Sequence, residues 1–504
     1  MSKAKAARHF FRNARCRSFL LPDAITASAA VPAGPSAAHL KRALGRWDLV
    51  ALFVVAVFNL NVVPSIAANG GVTVWLWIVS LVFFFWPQGI AVIELAHRYP
   101  GEGGVYLWAK EVFGDFHGFL SGWCYWTNNM MYVPTVMLYF VGVSVFVFPG
   151  HESLADNRAF AATAALALLA LLVILNILGL GVGKWINNVG SIGTVIAAGV
   201  LIALGVIVCS RFGTTISAAD FRIPANPHFM LNAFGVICFG LVGLELASIM
   251  GDEIKDPQKT LPGAVAWGGV LSGLLYIATT LALLIAISKD QINVLEGIVQ
   301  AVSHMAARVG ASWIIAPFAL MLSISIAGIG SAWLAGSARI PFVAGLDSYL
   351  PAWMAKIHPR YGTPYAALIV HFIVSTILVV VSVLTSGVQG VQDSFQRLLS
   401  LAVVLQLVPF LYMFGALLKI AAAPADGKGH YSRGMLYFAG SSGLLMTILG
   451  MIFAFSPAKQ ITSLASYEAW MLGGTAFFIG LAVFFFYVYG RRKSAKAAAA
   501  ATTV

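Results

Sequence analysis

Of the 504 residues, 60% are hydrophobic and only 10% are charged, whereas about a quarter of an average soluble domain is charged. A composition this apolar excludes a soluble enzyme. The net charge of +12 comes with no basic and aromatic module outside the apolar blocks, which excludes a nucleic-acid binder.

In chain order, residues 1–45 are rich in Ala, Pro and Arg and are expected to form a disordered cytoplasmic N-terminus. No apolar core followed by a small-residue cleavage site precedes the first span, so secretory cleavage is not expected. Apolar blocks of about 20 residues, the length a helix needs to cross about 30 Å of hydrocarbon, follow one another. They fall at 47–69, 73–97, 118–149, 159–179, 185–209, 228–251, 263–287, 311–336, 363–385, 397–420, 432–455 and 468–490. None alternates as barrel strands do. The expected fold class is an all-α polytopic membrane protein with 12 transmembrane helices. With the N-terminus inside, only Arg158, Arg211, Arg222, Lys289, Arg308, Arg397 and Lys459 of the 31 Lys and Arg stand outside. That asymmetry puts both termini in the cytoplasm of an inner or plasma membrane. The tail 491–504 reads as a basic anchor and a disordered Ala tract. Cys16, Cys124, Cys209 and Cys238 show no ligand spacing, so neither disulfide, metal nor cofactor is expected.

Two spans are interrupted. The first contains Asn59-Leu60-Asn61-Val62-Val63-Pro64, two amides and a proline at mid-membrane depth, where Pro64 frees backbone groups near Leu60. The sixth contains Phe239-Gly240-Leu241-Val242-Gly243-Leu244-Glu245, two glycines beside an intramembrane carboxylate that costs about 2.5–3.5 kcal/mol to insert. A proline kink and a neutral packing acid are the plain alternatives. Glu94, just before His97 and Arg98, is expected to reach the interface. Lipid tolerates such breaks only where protein or a watery cavity receives them. Breaks opening two successive sets of five spans are a pointer to a transporter's binding site. Half-helix ends offer N–H groups to a carboxylate and carbonyls to an ammonium, which suits a zwitterion.

The connectors carry a family resemblance. Ala67-Ala68-Asn69-Gly70-Gly71 closes the first span, and Tyr99-Pro100-Gly101-Glu102-Gly103-Gly104-Val105-Tyr106 follows the second. Phe239 to Glu245 continues into Glu253-Ile254-Lys255-Asp256-Pro257, and Arg339-Ile340-Pro341 leads to Gly362-Thr363-Pro364. Over about 45–490 the chain resembles permeases of the amino acid/polyamine/organocation superfamily, in the branch of the L-type transporters and amino acid antiporters. The resemblance implies a LeuT-like 5+5 inverted repeat, 46–210 and 225–420, plus two extra C-terminal helices at 430–490. It also implies alternating access, with substrate held between broken first and sixth helices.

Carried over by position, Phe239 matches an aromatic lid and Val242 a carbonyl that receives the substrate amine. Glu245 matches a carboxylate of gating and proton coupling, and Tyr125 an inner-gate tyrosine. The usual Gly-Ser-Gly of the first break is absent, and Asn61-Val62-Val63 stands there, so the Asn59 or Asn61 amide is the expected donor. Thr194 stands where many relatives hold a lysine, and its hydroxyl suits sodium or a plain polar contact, which leaves H+ coupling, Na+ coupling and ion-free exchange all open. The apolar wall of Phe239, Val242, Val62 and Val63 favours a neutral amino acid as substrate. A cationic amino acid or polyamine is the alternative, and a channel or structural membrane protein would not need paired breaks. The expected partners are the small substrate and the lipid bilayer, with a monomer allowed.

Overall fold

The computed structural model describes residues 46–100, 103–178, 180–214, 216–223, 228–245, 257–338, 340–343, 349–386, 390–424 and 429–490. They belong to the compact unit that starts at Arg42. The segments 1–45 and 491–504 lie outside the described residues, as do the connector residues Gly101, Glu102, Glu253, Lys255, Asp256 and Arg339.

The described chain is helical throughout. Its main elements are α1 (Arg46–Val57), α2 (Val63–Ala67), α3 (Thr73–Ser80), α4 (Trp86–Arg98), α5 (Val105–Phe113), α6 (Asp115–Thr127), α7 (Asn129–Ser144) and α8 (Arg158–Leu178). There follow α9 (Leu180–Phe212), α10 (His228–Gly240), α11 (Pro257–Ala286), α12 (Gly297–Arg308), α13 (Ile315–Ser337), α14 (Tyr365–Thr385), α15 (Gly390–Ala422), α16 (Arg433–Ala454) and α17 (Leu464–Val483). Among the described residues, 10 helices are long and apolar enough to cross a membrane. The protein is therefore an all-α multi-pass membrane protein.

The first and sixth blocks are different. α1 has 12 residues and α10 has 13, roughly 18–20 Å of helix, short of the hydrocarbon thickness. Pro64 is not a kink inside a helix. It lies in the first turn of α2, where its missing N–H costs nothing, and the chain has already left α1 before it. The tenth block also begins earlier than expected, since α15 starts at Gly390. Arg397, read as an outside charge, is instead fully buried and paired with Asp393 one turn before it. An ion pair one helical turn apart hides both charges from a hydropathy pattern.

Burial separates central from peripheral helices. The core windows of Asp115–Val147 and Gly390–Ala422 are each 78% buried, against 17% for Leu464–Gly490, so the third and tenth spans are central and the last faces lipid. Close packing replaces the hydrophobic drive that lipid cannot supply. A Cβ on Gly190 would lie 2.9 Å from Gly328 Cα and from the Ser325 carbonyl, so α9 and α13 meet backbone to backbone. Gly328 is thus spent inside the bundle. The aromatic run 75–86 divides by face: Trp75, Phe83 and Trp86 are exposed, while Trp77, Phe84 and Phe85 are buried.

Candidate functional site

The first break starts where α1 stops. Phe58 N–H still donates to the Val54 carbonyl at 2.8 Å, and Asn59 then turns extended, with φ −113° and ψ 105°. A short 3-10 turn, Leu60–Val62, leads into α2. In the sixth block α10 ends at Gly240, and Gly243 takes φ +141°, a conformation that side chains disfavour. The two breaks abut. A Cβ on Gly243 would stand 3.2 Å from Val57 Cγ2 and 3.3 Å from the Ala56 carbonyl, and one on Gly240 would stand 3.4 Å from Val62 Cγ2. Glycine here admits one broken backbone against the other.

A residue that the sequence reading missed joins them. The Tyr276 hydroxyl, on α11, accepts from Asn59 N–H at 2.9 Å and lies 2.6 Å from the Val57 carbonyl and 3.0 Å from the Gly240 carbonyl. Its one proton can serve only one of those two carbonyls at a time. The ring is held by stacking on Trp77, centroids 4.1 Å apart, and by an edge contact with Phe58 at 4.9 Å. Trp77 is in turn held through its indole N–H, which donates to Thr280 Oγ1 at 3.2 Å. The only available signal was a lone phenol, close to Thr279 and Thr280, in the mostly aliphatic stretch after Gly273.

The expected residues fall around this staple. Asn59 donates its side-chain amide back to the Val57 carbonyl at 3.2 Å. Asn61 Oδ1 accepts from the Tyr132 hydroxyl at 3.3 Å, while Asn61 Nδ2, buried, has no partner. Val62 and Val63 are fully buried, and Phe239 and Val242 are nearly so. Phe239 meets Tyr132 edge to face at 5.0 Å, and Tyr132 meets Trp333 the same way at 5.7 Å. Tyr132 thereby links the Asn61 side of one break to the Phe239 side of the other.

Glu245 turns toward the second and third spans. Its carboxylate accepts from Gln88 Nε2 at 3.1 Å, from the Tyr125 hydroxyl at 3.0 Å and from Gly243 N–H at 2.9 Å. Tyr125 and Glu245, each assigned to gating by the resemblance, are brought together by the fold; neither their contact nor Gln88 was foreseen. Thr194 is buried and donates to the Gly190 carbonyl one turn earlier at 3.0 Å, so its proton is used within α9 and only its lone pairs remain to accept or ligate. Glu94 corrects an expectation. It is fully buried, takes Arg98 Nε at 2.6 Å on one oxygen, and on the other accepts N–H groups of His430 and Tyr431 at 2.9 and 3.0 Å. A carboxylate so surrounded by donors ties the connector before α16 to α4 rather than reaching the interface. Among the described residues, no group of three or more His, Cys, Asp or Glu could hold a metal.

Family membership and relatives make this protein a secondary membrane transporter of small molecules rather than an enzyme. The chain belongs to the amino acid permease family, whose profile matches residues 44–477, and so to the amino acid/polyamine/organocation superfamily. It is similar to an uncharacterized transporter of Legionella pneumophila, 28% identical over 88% of this chain and 96% of the relative. It is also similar to a probable agmatine/putrescine antiporter of Lactococcus lactis, 24% identical over 83% of this chain and 89% of the relative. A branched-chain amino acid permease of Bacillus subtilis is 23% identical over 65% of this chain and 72% of the relative.

Proposed function

We propose that the chain moves a neutral amino acid by alternating access, bound between the breaks of the first and sixth spans. The observation that carries this reading is the Tyr276 hydroxyl, which holds Asn59, Val57 and Gly240 at one point. Neither break is an isolated kink. The unpartnered Asn61 Nδ2 is the donor for the substrate carboxylate in place of the missing glycine N–H groups, and the Val242 carbonyl receives the amine. Phe239 and Tyr132 close over the side chain, with Val62 and Val63 as apolar wall. Tyr125 and Glu245 form the gating and proton-coupling pair, and Thr194 is the candidate ion contact.

The proposal includes 12 spans as a 5+5 inverted repeat, 46–210 and 225–420, with two further helices at 430–490. It places both termini, 1–45 and 491–504, in the cytoplasm and assigns the chain to the L-type and antiporter branch. A cationic amino acid or polyamine is the second reading, favoured by the agmatine/putrescine relative. The position of Glu245 speaks for the first, because its carboxylate already accepts from three donors and an added ammonium would have to displace one.

The test is uptake of a radiolabelled amino acid and amine panel into proteoliposomes, with and without internal substrate and with separate sodium and proton gradients. Saturable uptake of a neutral amino acid is expected. Uptake of amines alone would install the second reading, and silence across both panels would overturn the proposal.

A further inference from the structure

The connector 455–463, between α16 and α17, reaches the five-residue helix α2 directly through Lys459, at its C-terminal cap, and indirectly through Gln460, by way of Gln396. Lys459 Nζ donates to the Ala68 carbonyl at 2.8 Å and stands 3.3 Å from Asp290 Oδ1. Gln460 Oε1 accepts from Gln396 Nε2 at 3.4 Å, and the same nitrogen donates to Ser65 Oγ at 3.1 Å. Ala68 is the C-terminal cap of α2. Carbonyls at a helix C-terminus lack partners and carry partial negative charge, so an ammonium is well placed there.

α2 has broken backbone on both sides. Extended Asn59 and a 3-10 turn precede it, and Gly70, at φ +89°, follows it. A Cβ on Gly70 would come within 3.0 Å of Lys289 Cδ, so the Lys289 stem seats on the same turn. Above it opens a cavity of about 470 Å³ whose lining includes Ala68, Lys289, Asp290, Glu296, Lys459 and Gln460. No helix runs continuously through α2; its buried apolar residues pack into the core, and the grips at Ser65 and Ala68 add polar contacts at its outer turn.

We propose that Lys459 is a positioning residue that latches α2 in the buried setting seen here. Releasing it opens the site toward the Lys289 and Lys459 end of the bundle. This rests on the alternating-access reading above. The Lys459 side chain is 32% exposed and that of Asp290 is 73% exposed, so water readily takes over the ion pair, while the Ala68 carbonyl, on a residue 3% exposed, is the contact that holds α2.

The experiment labels a reporter thiol. Ile66→Cys places a cysteine on α2 where the parent side chain is 0% exposed, in a chain with Cys209→Ser. The rate with a membrane-impermeant maleimide is read above that of the same chain without the reporter. Lys459→Met is expected to accelerate labelling by about fivefold, while Lys459→Arg, which keeps charge and donors, stays at the parental rate. A parental rate in Lys459→Met, or equal acceleration in Lys459→Arg, overturns the latch. Should Lys459→Met not accumulate, Asp290→Asn removes only the surface ion pair; about a twofold acceleration is expected, and none would count against the proposal. Labelling needs no substrate. A parent that moves no amino acid or amine would remove the transport reading while the latch is still decided.

Discussion

Replacing Tyr276 by Phe deletes one oxygen and keeps the ring that stacks on Trp77 at 4.1 Å. The bundle should therefore fold, and the loss should fall on the two breaks. Asn59 N–H loses its partner at 2.9 Å, whereas the Val57 carbonyl keeps the Asn59 side-chain amide at 3.2 Å. The Gly240 carbonyl lies at a helix end. One orphaned donor is the main cost. A buried unsatisfied group costs about 1–3 kcal/mol, and polar contacts between membrane helices average about 0.6 and reach about 1.7 kcal/mol. A loss of about 1–2 kcal/mol corresponds to roughly 5–30-fold in an equilibrium constant. In proteoliposomes, kcat/KM for the best substrate of the parent should fall about tenfold, with little change in thermal midpoint. Transport by Tyr276→Phe within about twofold of the parent would show that the hydroxyl does not organise the breaks.

Phe239→Ala removes the ring that meets Tyr132 at 5.0 Å; an aromatic pair contributes about 0.5–1.5 kcal/mol beyond its burial, so bound substrate should leave faster, and equal exchange rates in mutant and parent would contradict the lid. Glu245→Gln keeps an acceptor but turns an amide toward one of three donors. The pH profile of uptake should flatten while KM moves less than about threefold; an unchanged profile with lost binding of cations would refute this and support the amine reading. Glu296, in the connector before α12, is pushed up from the ordinary 4.5 to about 8 by burial and then by Asp156 and Glu152. The folded chain thus holds a proton there that the unfolded chain releases, and stability should fall as pH rises from about 4.5 to about 8. Glu296→Gln should flatten that fall in thermal midpoints, and the same slope in both proteins would refute it.

Apolar block length, the interruption of the first block and the early end of the sixth block's helix at Gly240 were legible in the sequence because membrane solvation imposes them locally. A block with two asparagines and a proline, or with two glycines and a glutamate, cannot run as a plain lipid-facing helix. The gating roles of Tyr125 and Glu245 came only through the family resemblance, and their contact, across 120 residues of chain, appeared only in the structure. The site also contains residues that no local pattern marks. Tyr276, Trp77 and Gln88 read as ordinary members of apolar spans, and Glu94 and Arg397 read as charges heading for water. Pro64 read as the cause of the break, although it starts the helix beyond it.

By itself, then, the sequence determined that this protein is a helical multi-pass membrane protein and where its helices fail, since both follow from the cost of unpaired polar groups within a few residues of each other. Only the tertiary structure decided which spans are central, which buried charges find partners one turn or hundreds of residues away, and which hydroxyl holds the two breaks together. Those outcomes depend on side chains from different helices meeting at hydrogen-bond distance. Lipid drives no particular pairing of apolar helices, so the partners emerge from glycine contacts and buried polar groups satisfied across the bundle.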